Sequence, residues 1–417
     1  MAGIGHPRAP GARVPTIVMG LSANGLGVLR SLVRLGVEVH GVYSDPAAEI
    51  ARHSHSLRAR YRISDPKSDG EVMATLVGIR QRFSPSERMV LIPTNDTFAR
   101  FVSTHRAHLE EAFLFRVPPP GIEATFLDKR ATVDICLRHA MPIPRSCVPE
   151  VLEDVEREVR RFRFPVIIKP ALTDDADFPG KNVVVASADE LLAFYRSHPD
   201  LVPRTMFQEL IPSGDGHIVS VSTYSGADGK VLARVSGRKL RQWLPDYGSG
   251  CYSVSEMHPA LQALATSFLE EIGYVGFAVV EFAEDATTGE TFFLELNARL
   301  GYRNQLAADS GVDLSAIGYL EMCGQGTPRG LVQLDGVYWI DLHRDIPSSV
   351  VRWWRGELSP LAWARGVWQT TSYASFDRRD PKPFLASLTR MLSVATGYSA
   401  SRQVHSIDTF MRLWRRR

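Results

Sequence analysis

Hydrophobic positions along the chain switch between two periods, and the switches outline its parts. An apolar run at residues 16–19 gives way to Gly20-Leu-Ser-Ala-Asn-Gly25-Leu-Gly27, then to helical spacing over 28–35 and a second apolar run over 37–43. That succession predicts strand, glycine-rich turn, helix and strand. A further strand is expected at 89–92, ending in Pro93-Thr-Asn-Asp96 and flanked by helical patterns. Residues 14–117 therefore read as a doubly wound α/β domain, punctuated by Pro118-Pro-Pro120. Residues 1–13, rich in Gly, Pro and Arg, read as a disordered arm.

Asp128 is placed to cap a helix that stops before Met141-Pro-Ile-Pro144. Beyond it the pattern predicts a helix at 152–162, a strand at 165–169, a polar loop, a strand at 182–186, a helix from Asp189 and a strand at 206–210. These form a small lid, about 142–208, within a larger unit spanning 118–326. Strands dominate from Ile218, interrupted by a helix at 259–272 and followed by strands at 277–282 and 291–297. The expected class is α/β plus α+β in several domains, with 327–417, rich in Trp and Arg, as a separate C-terminal extension.

The last two strands carry the most telling chemistry. They flank Thr287-Thr-Gly289, a three-residue hairpin loop with glycine at the left-handed position; closing there pairs Ala286 with Glu290 and sets Glu281 opposite Glu295. Two facing carboxylates among Val, Phe and Leu repel unless a cation joins them or one is protonated. Strand alternation adds Asn297 and Arg299 to the face of Glu295 and turns Leu294 and Leu296 the other way. Oxygen donors without His or Cys suit Mg²⁺, which fills its remaining positions with water and phosphate. Two lysines are placed to meet such phosphates: Lys129, at a helix start where the dipole favours anions, and Lys169, closing the apolar strand Phe-Pro-Val-Ile-Ile-Lys. Arg238, Lys239 and Arg241, beside the aromatic turn 243–250, are candidates for holding substrate carboxylates.

Composition narrows the function classes. Of 417 residues, 44% are hydrophobic and 23% charged, which fits a folded globular chain. The net charge of +2 gives no overall field to gather nucleic acid or an anionic membrane. Cys136, Cys147, Cys251 and Cys323 are too scattered for a disulfide framework or a zinc site. No apolar window reaches membrane-spanning length, and residues 14–29 read as strand and turn rather than as a signal sequence. The expected compartment is the cytoplasm.

With these residues assembled, the chain resembles the ATP-grasp superfamily, and within it the carboxylate–amine ligases that include D-aspartate ligase. The resemblance covers about residues 14–326. It rests on the glycine-rich turn, Leu-Ile-Pro-Thr-Asn-Asp96, Leu-Asp-Lys129, Phe-Pro-Val-Ile-Ile-Lys169-Pro, Phe-Gln-Glu209-Leu-Ile-Pro-Ser-Gly-Asp215, Gly-Arg-Lys-Leu-Arg241 and Phe-Leu-Glu295-Leu-Asn297-Ala-Arg299. It implies an ATP-grasp fold behind a doubly wound pre-ATP-grasp domain, with ATP and Mg²⁺ as cofactors. Glu281, Glu295 and Asn297 would be metal ligands, and Lys129 and Lys169 phosphate contacts, with Lys181 on a mobile loop above them. Glu209 and Leu210 would form the backbone hinge against adenine, and Asp215 would meet the ribose. Arg299 would stabilise the acyl phosphate or tetrahedral intermediate, and Arg241 would serve beside it. The chain departs from the pattern in the single Gly180 of the loop after Lys169, in Ala298 where proline is usual, and in Gly301-Tyr-Arg-Asn304 where small residues are common.

The resemblance further implies small-molecule carboxylate and amine substrates, with no nucleic acid and no transmembrane segment; oligomeric state stays open, a homo-oligomer included. Two other classes compete. A nicotinamide-dependent oxidoreductase is suggested by Gly20, Gly25, Gly27 and Asp45, although the glycines do not spell GxGxxG. A nucleotide-binding regulator or scaffold would keep the fold with a dead site, against which the retained Lys129, Lys169, Glu281, Glu295, Asn297 and Arg299 argue.

Overall fold

Three sheets build the molecule. The computed structural model describes residues 13–46, 48–84, 87–172, 178–179, 182–243, 248–328 and 330–395. The expected arm up to residue 12, Lys181 and most of its loop, residues 244–247 of the aromatic turn and the tail beyond 395 lie outside them.

The first sheet is parallel throughout, in the order β3-β2-β1-β4-β5, from strands β1 (Thr16–Met19), β2 (Val39–Tyr43), β3 (Ala59–Arg62), β4 (Met89–Pro93) and β5 (Phe113–Leu114). The expected doubly wound arrangement is present: helix Ala23–Arg34 packs on one face and helices Asp69–Arg80 and Asp96–Thr104 on the other, so strands such as Thr16–Met19 are buried on both sides and read as unbroken apolar runs.

The second sheet is small and antiparallel, in the order β6-β9-β7-β8: β6 (Ser146–Cys147), β7 (Val166–Pro170), β8 (Val183–Val185) and β9 (Thr205–Glu209). It has its own core of Val155, Val166, Ile168, Leu191, Tyr195 and Phe207.

The third sheet has seven strands in the order β14-β13-β10-β11-β12-β15-β16. They are β10 (Ile218–Ser225), β11 (Val231–Trp243), β12 (Ser249–Ser255), β13 (Gly276–Glu284), β14 (Thr291–Asn297), β15 (Tyr338–Ile340) and β16 (Thr370–Tyr373). One face packs on helix Pro259–Glu271 through Leu261, Ala265, Phe268, Val280 and Phe282. On the other face Tyr224, Val235, Phe277 and Trp339 share a core with Leu26 and Leu29 of the N-terminal domain. The segment expected to stand apart as an extension supplies the last two strands of this sheet, and helix Leu342–Trp354 packs across β11 and β12. Among the described residues no helix is long and apolar enough to cross a membrane.

Candidate active site

The hairpin of β13 and β14 sets Glu281 opposite Glu295, as expected, by a different route. The loop has four residues, closed by Gly289 N–H donating to the Asp285 carbonyl (2.8 Å) and Asp285 N–H to the Glu290 carbonyl (2.8 Å). The Asp285 carboxylate caps it by accepting the Thr287 and Thr288 amides at 2.8 and 3.2 Å. This loop puts the register out by one residue, pairing Phe282 with Phe293, and a bulge at Leu294 restores it at Glu281–Glu295. The bulge also corrects the expected face of Leu294: it joins Ile211, Ile218 and Ala283, while Leu296 enters the core beside Phe293.

Glu281, Glu295, Asn297 and Arg299 line a cavity of about 630 Å³ whose lining comes from strands of the second and third sheets and from the start of the helix after β4. The Asn297 amide donates to Glu295 Oε1 (3.0 Å), and Arg299 donates to Asn297 Oδ1 (3.1 Å) and in two bonds to the Asp96 carboxylate (2.8 and 3.3 Å). Asp96 stands in the first turn of a helix after β4, so the Pro93-Thr-Asn-Asp96 segment brings the N-terminal domain into the site. Lys129 and Lys169 line the cavity too. Asp128 caps the Lys129 helix by accepting the Arg130 amide, and Lys169 Nζ donates to Gln208 Oε1 (2.8 Å). Glu209 and Leu210 are at the cavity edge, with their N–H groups already given to the carbonyls of Arg145 (2.9 Å) and Pro165 (3.1 Å).

Glu281 is nearly sealed: Lys239 Nζ donates to its Oε2 (2.6 Å) and Arg303 lies 3.7 Å from its Oε1. Burial alone would raise this carboxyl, yet Lys239, Arg303 and Arg299 outweigh it and hold the pKa below its ordinary value. Glu123, also in the wall, shows the opposite balance, since burial raises it more than Arg100 lowers it.

Two expected site residues are elsewhere. Arg241 does not line the cavity, because bulges on both sides of it, between Lys239 and Arg241 and between Arg241 and Gln242, break the two-residue alternation. Lys239 and Gln242 face the cavity; Arg241 points beneath helix Leu342–Trp354, bonds Asp345 at 2.7 and 3.1 Å and lies 4.0 Å from the Tyr252 ring centroid. Arg238 is likewise turned away, to Glu256 and Glu284. Asp215, expected at the ribose, pairs with Arg352 of the same helix (2.6 Å) and is not in the cavity wall. Of the three candidate carboxylate-holding cations on β11, only Lys239 faces the site.

Arg303 and Gln208 belong to the site and were not singled out from the pattern. The only signal for Arg303 was the large, charged departure at Gly301-Tyr-Arg-Asn304.

The glycine-rich turn after β1 has a different use from a phosphate cradle. A Cβ at Gly27 would lie 2.0 Å from Asn304 Oδ1, and Asn304 in turn donates to Asn24 (2.8 and 2.9 Å). The turn's Leu21 amide donates to the buried Glu49 carboxylate, which also accepts from Ser44 N–H (3.1 Å). A side-chain anion already takes a donor there, and the glycines let the N-terminal domain dock against the segment after Asn297. That removes the main support for a nicotinamide cofactor.

No protein-family model matches the chain. It is 24% identical over 313 residues to the D-aspartate ligase of Enterococcus faecium (strain Aus0004), covering 72% of this chain and 74% of that protein. It is 23% identical over 270 residues to the D-alanine–D-alanine ligase of Herminiimonas arsenicoxydans, covering 58% and 78%. Among solved structures it resembles the biotin carboxylase domain of 2-oxoglutarate carboxylase from Hydrogenobacter thermophilus, in complex with MgADP, ADP and bicarbonate (TM-score 0.62, 15% identity, 79% of this chain and 74% of that one). It also resembles N5-carboxyaminoimidazole synthetase from Staphylococcus aureus (TM-score 0.59, 11% identity, 78% and 81%). The likeness to these solved structures shows the fold, an ATP-grasp fold behind a doubly wound domain, and in sequence the chain is similar to carboxylate–amine ligases.

Proposed function

We propose that the cavity joins a carboxylic acid to an amine, driven by ATP, through an acyl phosphate. The observation that carries this reading is the convergence of Glu281, Glu295, Asn297 and Arg299 with Lys129 and Lys169 around one cavity. The donor set of two carboxylates and an amide, with no cluster of three His, Cys, Asp or Glu side chains among the described residues, fits a hard divalent cation that keeps water and takes phosphate oxygens. Glu281, Glu295 and Asn297 would hold Mg²⁺, which when bound supplies charge neutralisation to the phosphates of ATP.

The chain's own groups do the rest. Lys129 and Lys169 meet the phosphates. The segment 209–211 takes the adenine; because the Glu209 and Leu210 amides are committed, the donor falls to the Ile211 amide, which has no partner among the described residues. A carboxylate oxygen of the acid attacks the γ-phosphorus and the bond to ADP breaks. The amine then attacks the acyl carbon, phosphate leaves, and the amine gives up its proton. Lys239 and Arg299 compensate the charge that builds on the two anions as they meet. Closure of the lid sheet keeps water from the acyl phosphate. Four free thiols and a dependence on ATP make the cytoplasm the compartment this reading asks for.

The test is ADP and phosphate release from MgATP across a panel of acids with and without amines. Release that requires one acid and rises with one amine is the expected result. Tight MgATP binding without turnover for any pair would favour the regulator reading instead.

A further inference from the structure

The C-terminal segment carries a surface that the cavity does not use. Helix Pro360–Gln369 starts at Ser359, whose hydroxyl accepts the Ala362 amide (3.1 Å). One side of the helix is fastened to the body of the protein: the Trp363 indole N–H donates to Asp345 (2.8 Å), and the Gly366 carbonyl accepts from the Tyr252 hydroxyl (3.2 Å). The approach is close, since a Cβ at Gly366 would lie 3.2 Å from that same hydroxyl. The other side is apolar and bare. Leu361, Ala364 and Trp368 recur at helical spacing on one stripe, edged by the exposed Arg365; Leu361 is 81% exposed and Trp368 90%. Trp354, 64% exposed, ends helix Leu342–Trp354, which meets this helix where Trp353 packs edge to face on Trp363 (5.9 Å).

Because the inner side is bonded, the helix cannot roll to hide Leu361 and Trp368, and large apolar side chains left bare together mark a contact surface. Charge decides what they contact. Residues 327–417 hold 14 Lys and Arg against 7 Asp and Glu, whereas residues 1–326 hold 34 against 39, and six of the seven tryptophans fall in the former. Part of that basic charge is committed, Arg352 to Asp215 and Glu357, and Arg344 beside Asp341. The 22 residues after Ala395, outside the described ones, add five arginines against the single acid Asp408, with Phe410, Met411 and Trp414 at helical spacing among them. Their length allows a reach of up to about 70 Å. A second copy seated on the stripe would set basic segment against basic segment, and the chain's own tail would set residues 415–417 against Arg365. An anionic lipid surface suits both features, since Trp settles at headgroup level and arginines are drawn to the negative leaflet.

We propose that the exposed stripe of helix Pro360–Gln369, together with the arginines of the C-terminal tail, docks the protein peripherally on an anionic lipid surface. Leu361, Trp368 and Trp354 enter the headgroup boundary, while Arg365 and the tail arginines meet lipid phosphates. The same segment supplies β15 and β16 to the sheet that carries Glu281 and Glu295, so docking brings the active site to the surface with it. This inference stands independently of the ligase reading.

The test is flotation of the full-length protein with vesicles of phosphatidylglycerol and phosphatidylcholine in equal parts, against vesicles of phosphatidylcholine alone, at low and high salt. Wild type should float with the first and not with the second, and salt should weaken the binding. The double change Leu361→Ser with Trp368→Ser should lower the partition coefficient by roughly tenfold or more, the loss expected from two large apolar side chains. Both residues are exposed, so its unfolding midpoint and MgADP affinity should stay at wild-type values. Arg415→Gln with Arg416→Gln should lower partition by about fivefold per arginine. Equal binding to both vesicles, binding to neither, or undiminished binding by the double serine variant would overturn the proposal. So would a wild-type dimer in sedimentation that the same variant dissociates, which would make a second copy the occupant of the stripe.

Discussion

Two buried ion pairs leave the same strand two residues apart and serve different ends. Lys239–Glu281 (2.6 Å) faces the cavity, and Arg241–Asp345 (2.7 Å) lies beneath a C-terminal helix. Asp345 is fully enclosed and saturated: besides two bonds from Arg241 it accepts from Trp363 Nε1 (2.8 Å) and Ser349 Oγ (3.4 Å), with Cys251 Sγ at 3.7 Å. Glu281 is held by one short bond and one loose contact at the edge of an open space. A saturated pair fastens the sheet to its covering helix, whereas a pair that a ligand can open suits a site where partners change.

The contrast can be broken from either side, and the largest effect is expected at Asp345. Asp345→Asn leaves Arg241 buried without a countercharge, and denaturant unfolding should show a loss of about 3–5 kcal/mol. The double change Arg241→Met with Asp345→Leu removes both charges and should recover most of that loss, because replacing a buried pair with apolar groups is often near neutral. In both, MgADP affinity should stay close to wild type wherever the protein is folded.

The cavity side should respond in the reverse way. Glu295 is exposed, so Glu295→Gln should leave the unfolding midpoint almost unchanged while turnover drops roughly a hundred- to a thousandfold. Wild-type-like turnover in that variant would sink the metal assignment. Chelating the metal from wild type should likewise stop ADP formation, with activity returning when Mg²⁺ is restored in excess.

A smaller effect sharpens the comparison further. Asp96 is 56% exposed where it grips Arg299, so Asp96→Asn should cost less than about 1 kcal/mol in stability. Turnover measured alongside would report whether Arg299 works better held or released.

How far these features were legible in the sequence depended on how local their causes are. The facing of Glu281 and Glu295 could be read because a hairpin closes over few residues, although a four-residue loop and a bulge at Leu294 compensated each other to give it. Lys129 followed from its capping aspartate, and Lys169 from the apolar strand it ends. Arg241 could not be placed, since the bulges that turn it over leave no mark in the hydrophobic pattern, and its partner Asp345 lies 104 residues away. Asp215 failed for the same reason, its partner Arg352 belonging to a helix that only the folded sheet brings near. The glycine-rich turn was placed correctly after β1, but its resemblance to a phosphate loop was undone by Glu49 and Asn304, whose arrival is a tertiary event.

The central claim is that a carboxylate oxygen of the acid attacks ATP. Once the panel has named the acid, its carboxylate can be labelled with ¹⁸O and the released phosphate examined by mass spectrometry. The account predicts that each phosphate formed with the amide carries one oxygen from the acid, because the acyl carbon–oxygen bond breaks when the amine attacks. Unlabelled phosphate, formed at the same rate as ADP, would mean that water attacks the nucleotide and would contradict it.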